Sequence, residues 1–105
     1  MAFEPYSIQI EREAEEEFLR AMKYFAKIDR DYGLGPILTD AFDAEIDQAL
    51  QRAAINPRQF PRAEAYHRLF SGNRFRYVIY FAVDEASRTI WVKAIQGPGQ
   101  ERCRE

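Results

Sequence analysis

Residues 66–95 read Tyr66-His-Arg-Leu-Phe70, Ser71-Gly-Asn73, Arg74-Phe-Arg-Tyr-Val-Ile-Tyr-Phe-Ala-Val83, Asp84-Glu-Ala-Ser87 and Arg88-Thr-Ile-Trp-Val-Lys-Ala-Ile95. Three runs rich in β-branched and aromatic residues follow one another, separated by short polar turns. That pattern predicts an antiparallel meander. In the middle run Phe75, Tyr77, Ile79, Phe81 and Val83 share one face, and Arg74, Arg76, Val78, Tyr80 and Ala82 share the other. Past Tyr77 both faces are largely apolar, so this strand is expected at the centre of the sheet.

Upstream, the period of the apolar residues changes. Ala14, Phe18, Met22 and Phe25, joined by Leu19, Ala21 and Ala26, form the stripe of a helix from Glu11 to about Asp29. Glu11, Glu13, Glu15, Glu16 and Glu17 crowd its start, where the helix dipole favours negative charge. No Ser, Thr or Asp is placed to cap it. Asp31-Tyr-Gly-Leu-Gly-Pro36 breaks that helix, and Pro36 suits the first turn of a second one. Leu38, Phe42, Ile46, Leu50 and Ala53 form its stripe, beside Ala41, Ala49 and Ala54, and Asn56-Pro57 ends it. The short connection implies an antiparallel helical hairpin. Ahead of both helices, Tyr6-Ser-Ile-Gln-Ile10 alternates as a half-buried strand does. Residues 57–65 read as a loop bearing Pro and Arg. The expected fold is therefore α+β, in the order βααβββ, with a helical hairpin on one face of a small, mainly antiparallel sheet. One domain over 1–96 and a flexible C-terminal tail over 97–105 are expected.

Composition narrows the functional classes. The chain has 105 residues, 47% hydrophobic and 30% charged, with a formal net charge of −2. Residues 1–65 carry a charge of −5 and residues 66–105 carry +3. The sheet half would thus meet an anionic partner, although a nucleic-acid binder usually presents a stronger basic face. The single cysteine, Cys103, rules out an internal disulfide and a Cys-rich metal site; beside Arg102 and Arg104 it reads as an incidental exposed thiol. No cofactor and no metal are expected. Without a signal-peptide pattern or an apolar run long enough to span a bilayer, a cytoplasmic protein without a membrane partner is expected.

Asn56-Pro57, Arg68-Leu69 and Arg76-Tyr-Val-Ile-Tyr80, in this order and spacing, resemble the ParE/RelE toxins of bacterial type II toxin–antitoxin (plasmid stabilisation) systems. The resemblance spans nearly the whole chain, and it implies a toxin neutralised by a cognate antitoxin protein. It departs from the family after the last strand. Gln96 stands where many members have a histidine, and Gln96-Gly-Pro-Gly99 replaces their basic segment.

Three functions follow from the resemblance. The ParE branch implies a protein that binds DNA gyrase and needs no catalytic set. The RelE branch implies a ribosome-dependent mRNA endoribonuclease, for which Arg68, Arg76, Tyr80 and Lys93 are the catalytic candidates. The third is a non-toxic binding module that kept the fold. The modest cation set leans away from an enzyme. Arg68, Arg74, Arg76, Lys93 and Gln96 are the expected target-binding residues; for any one arginine alone, solvating the outer sheet face and pairing with acidic helix residues is the favoured reading. Tyr24, Tyr32 and Phe60 are read as exposed antitoxin contacts that suit a helix-in-groove mode. Trp91 reads either as a partner anchor or as core packing under the helices, with core packing favoured. His67 reads as a half-exposed strand residue on the face opposite Tyr66 and Arg68. An aromatic-rich surface is also compatible with a homodimer.

Overall fold

The computed structural model describes residues 4–63 and 65–98. The elements are β1 (Ser7–Ile10), α1 (Arg12–Asp31), α2 (Ile37–Ile55), a single 3-10 turn at Pro57–Gln59, β2 (Arg62–Ala63), β3 (Tyr66–Phe70), β4 (Val78–Asp84) and β5 (Thr89–Gln96). They form one five-stranded sheet in the order β1-β5-β4-β3-β2. β2 to β5 pair antiparallel, whereas β1 pairs parallel with β5. β4 is the central strand, as its two apolar faces predict. The segment expected to be all loop contributes the 3-10 turn and the edge strand β2. Two paired residues are too short a run for alternation to register.

Both helices pack on one face. Ala14, Ala21, Phe42, Ile46, Ala49, Leu50 and Ala53 meet Leu69, Ile79, Phe81, Ile90, Val92 and Ile95 in the main core. Phe42 sits at its centre, with ring centroids 4.8 Å from Tyr77, 5.0 Å from Phe25 and 5.4 Å from Phe75. These offset and edge-on geometries are the favoured aromatic arrangements. Leu19, read as part of the first stripe, is exposed; it flanks the stripe on the side away from the sheet.

The helix ends are satisfied in different ways. At the end of α1 the Leu34 N–H donates to the Asp29 carbonyl and the Gly33 N–H to the Arg30 carbonyl. With Gly33 at a φ of +64°, this is a Schellman closure. Glu11 occupies the α1 N-cap without a side-chain capping bond. Pro36 is the N-cap of α2 rather than a first-turn residue. The cap of α2 comes from α1: the Asp29 carboxylate accepts from the Leu38 N–H (3.0 Å), the Thr39 N–H (3.0 Å) and the Thr39 hydroxyl (2.8 Å). Those two N–H groups are among the four a helix start leaves unpaired.

The central strand starts later than its alternation suggests. Residues 71–77 are a folded turn, with Arg76 at a φ of +62°. The Ser71 N–H donates to the Tyr77 carbonyl at 2.8 Å, and the Tyr77 N–H donates to the Ser71 hydroxyl at 3.0 Å. Phe75 and Tyr77 still enter the core, which is why the pattern looked continuous. Arg74 and Arg76 consequently lie in the turn, not on a strand.

Candidate functional site

Two surfaces bring the sequence-derived candidates together. The first is the sheet face without helices. Here Tyr80 stands in register with Arg68 on β3 and with Ala94 on β5. Val78, Tyr80 and Ala94 are buried and pack with Tyr66 into a second, smaller cluster. Arg68 is exposed at its border, and Phe70 is exposed farther along β3.

β5 carries a bulge on this face. Phe81 pairs with Val92 and Tyr80 with Ala94, so Lys93 is the extra residue. Bulges re-aim a side chain. The Lys93 ammonium donates to Glu11 and lies 6.0 Å from the Tyr66 ring centroid. Trp91 does not pack under the helices. Ile90 and Val92 point into the core, so strand parity turns Trp91 outward, opposite Ala82 and Gln9 and 37% exposed.

As chemistry, this face offers cations and a phenol, with constraints. Tyr80 is only 5% exposed. The Lys93 charge already faces a carboxylate. His67 is on the opposite, core-side face: its ring stacks on Phe81 with centroids 5.2 Å apart, and its Nδ1 lies 2.8 Å from the Phe60 carbonyl oxygen. A proton-transfer role for the imidazole at Arg68 and Tyr80 is therefore closed off by strand parity. Among the described residues, no group of His, Cys, Asp or Glu is placed to hold a metal ion, and no helix is long and apolar enough to cross a membrane.

The second surface is a groove of about 850 Å³ between α1, the 71–77 turn and the end of β5. Arg74 and Gln96 line it together, with Arg20 and Tyr24 from α1. Glu17 reaches across to accept the Ile95 N–H at 2.8 Å. Burial, and then the neighbouring Tyr24, push the Tyr77 phenol above its ordinary pKa. Gly97 passes so close to that ring that a Cβ there would sit 2.8 Å from it. Residues 99–105, which include most of the expected tail and Cys103, lie outside the described residues.

The target set thus divides. Arg68 and Lys93 border the sheet face, Arg74 and Gln96 border the groove, and Arg76 projects from the turn. Of the expected antitoxin contacts, Tyr24 on α1 and Tyr32 at its C-cap are exposed at 60% and 74%. Phe60 is not exposed with them. The 3-10 turn swings its ring onto the core, with its centroid 6.0 Å from that of Phe81. Sequence reading missed Arg20 and Glu17 as groove residues. Their i,i+3 spacing on α1 was visible, but nothing in the sequence said that this flank would face the end of β5.

At the far end of the sheet a polar knot ties β1 to the β4–β5 turn. Glu85 accepts the Tyr6 hydroxyl at 2.7 Å and pairs with Arg58 at 2.8 Å, while Arg88 lies over the Tyr6 ring at 4.3 Å. The hydrogen bonds from Tyr6 and Arg58 hold the Glu85 carboxyl below its usual range.

Among solved structures, the fold is similar to a chain of the toxin–antitoxin complex RelBE2 from Mycobacterium tuberculosis, with a TM-score of 0.58 and 14% identity. The likeness covers 92% of this chain and 95% of that one. At this identity the likeness is one of fold: a helical hairpin on a small mixed sheet with RelE/ParE-like topology. No family model and no curated protein matches the sequence.

Proposed function

We propose that this chain is the toxin-like member of a type II toxin–antitoxin pair, ParE-like in action, held inactive by a cognate antitoxin and directed at DNA gyrase. The observation that carries the reading is the whole-length match of topology to a chain of a toxin–antitoxin complex. In this reading Arg68, Arg74, Arg76 and Gln96 meet the target, and the exposed Tyr24 and Tyr32 meet the antitoxin.

The ribonuclease reading is the weaker one on specific grounds. Tyr80 is buried, Lys93 is neutralised by Glu11, and His67 is on the wrong face. Acid–base cleavage needs reachable groups beside the phosphate.

Expression from a tightly repressed promoter, followed by pulse labelling of DNA, RNA and protein, tests the proposal. Growth arrest with DNA synthesis falling first is the expected outcome. Protein synthesis falling first would replace it with the ribonuclease reading. Normal growth with soluble, folded protein would leave a non-toxic binding module.

A further inference from the structure

α1 keeps its two signs of charge apart. On the face turned away from the core, Glu13 and Glu16 lie in the N-terminal half, and Arg20, Lys23, Lys27 and Arg30 lie in the C-terminal half. All six are exposed. The four cations are spaced i, i+3, i+7 and i+10, so they form one stripe of the helix. Among the described residues this face makes two ion pairs, both within the helix: Arg12–Glu16 at 3.5 Å and Lys27–Asp31 at 2.8 Å. Glu13, Arg20 and Lys23 have no ion-pair partner among the described residues.

The helix dipole favours part of this order, but its influence fades beyond the first and last turns. Arg20 and Lys23 sit in mid-helix. Leu19 and Tyr24, both exposed, put apolar surface between the two signs. A face with opposite signs at its two ends fits a partner that presents the same signs in reverse. A nucleic-acid backbone carries one sign along its length and would bring phosphates against Glu13 and Glu16. An acidic peptide suits only the C-terminal half. A second copy of α1, run antiparallel, matches both halves.

We infer that the exposed face of α1 is a self-association surface, on which a second copy of this chain packs with its own α1 antiparallel. A two-fold axis at the level of Ala21 and Met22 sets the register. It brings Glu13 of each copy to Arg30 of the other, Glu16 to Lys27 and Arg12 to Asp31. Leu19 faces Tyr24 near the centre. Arg20 faces Lys23, a repulsive pairing, and both side chains are long enough to keep their charges in water. The surface is thus self-complementary, as a two-fold interface requires. A contact one helix long, about 25 Å from Glu13 to Arg30 by the helical rise, is at the small end of specific interfaces. A weak, salt-sensitive dimer is the expected product. The inference does not rest on the toxin-like reading, because self-association is measured on the chain alone.

Sedimentation equilibrium of the full chain tests it, at about 50 mM and about 500 mM salt. A dimer is expected at low salt, its dissociation constant rising about tenfold at high salt. Glu13→Lys with Glu16→Lys makes the face cationic throughout; Lys27→Glu with Arg30→Glu makes both its ends anionic. Each double variant should self-associate about tenfold more weakly. Their equimolar mixture should form a one-to-one heterodimer at least as tight as the wild-type dimer, since every altered pair is again opposite in sign. Two misfolded variants could not do this. Leu19→Gln, a neutral change at an exposed position, should weaken the wild-type dimer about threefold. A duplex oligonucleotide and a polyglutamate peptide, followed by anisotropy, are the comparison ligands. A chain that stays monomeric at low salt, a dimer that both charge variants leave unchanged, or a monomeric mixture of folded variants would overturn the inference. So would binding of the duplex or of polyglutamate to this face more tightly than a second copy.

Discussion

Asp29 belongs to α1 but serves α2. The residue is 4% exposed, and its carboxylate holds the Leu38 and Thr39 N–H groups in the first turn of the second helix. Burial pushes its pKa up, yet the bonds from Thr39 and Leu38 outweigh it and hold the carboxyl below the usual range. The unfolded chain then binds more protons in the acidic window. This contribution to stability is complete above the ordinary Asp range near about pH 4 and is lost as pH falls through the lower folded value. Asp29→Ala should lower the melting temperature by several degrees at neutral pH, because two helix N–H groups and a hydroxyl lose their acceptor. Asp29→Asn keeps one oxygen acceptor but no acidic titration. It should show a smaller loss and a shallower fall of the urea midpoint on acidification. An identical acid profile in wild type and Asp29→Asn would remove this account. Arg76 poses the opposite case. Its positive φ costs a non-glycine residue about 1 kcal/mol, so Arg76→Gly should leave the melting temperature unchanged or raise it. Any loss of function in that variant then belongs to the guanidinium rather than to the fold.

At the scale of elements, the 71–77 turn is set by a clasp from α2. Glu45 accepts the Ser71 hydroxyl at 2.6 Å and the Phe75 N–H at 3.3 Å. Arg52 donates to the carbonyls of Phe70 and Ser71. Gly72 leaves room for this approach, since a Cβ there would lie 2.9 Å from the Glu45 carboxyl. Glu45→Ala should cost about 1–3 kcal/mol, the range for removing a partner of buried polar groups. Amide exchange should accelerate first at Phe75 and Tyr77, and uniform acceleration across β3 to β5 would argue against a local clasp. The same turn shows where sequence reading stops. Helical stripes were legible because apolar residues three and four apart, as at Leu38, Phe42, Ile46, Leu50 and Ala53, cannot be mistaken for alternation. Strand starts were not, because a turn that buries Phe75 and Tyr77 on one side repeats the period of a strand. The left-handed Arg76 that separates the two has no sequence signature. Trp91 was misplaced as well: core packing under the helices was the favoured reading, whereas alternation with the buried Ile90 and Val92 turns it outward.

Across the whole molecule, topology was legible and site geometry was not. Element order and period imply the two-layer arrangement, but they do not say which strand edge a helix leaves uncovered or which cation a helix N-terminus neutralises. The acidic helical half and basic sheet half of the sequence suggested one cationic face with Arg68, Arg74, Arg76 and Lys93 acting together. The fold instead pairs Lys93 with Glu11 and sends Arg74 to the groove. This separation yields a prediction for the toxin-like reading. A half-exposed, paired ammonium adds little net field beyond its carboxylate partner, so Lys93→Gln should leave the growth arrest intact. Arg68 on β3 and Arg76 on the turn are both exposed, where a target could touch them. Arg68→Gln with Arg76→Gln should relieve the arrest at an equal level of soluble protein, with circular dichroism unchanged. Growth curves of the three strains, with immunoblots for soluble protein, decide it. Arrest by the double variant equal to wild type would move the target surface away from these arginines. Relief by Lys93→Gln alone would mean that the Glu11–Lys93 pair opens when the target binds.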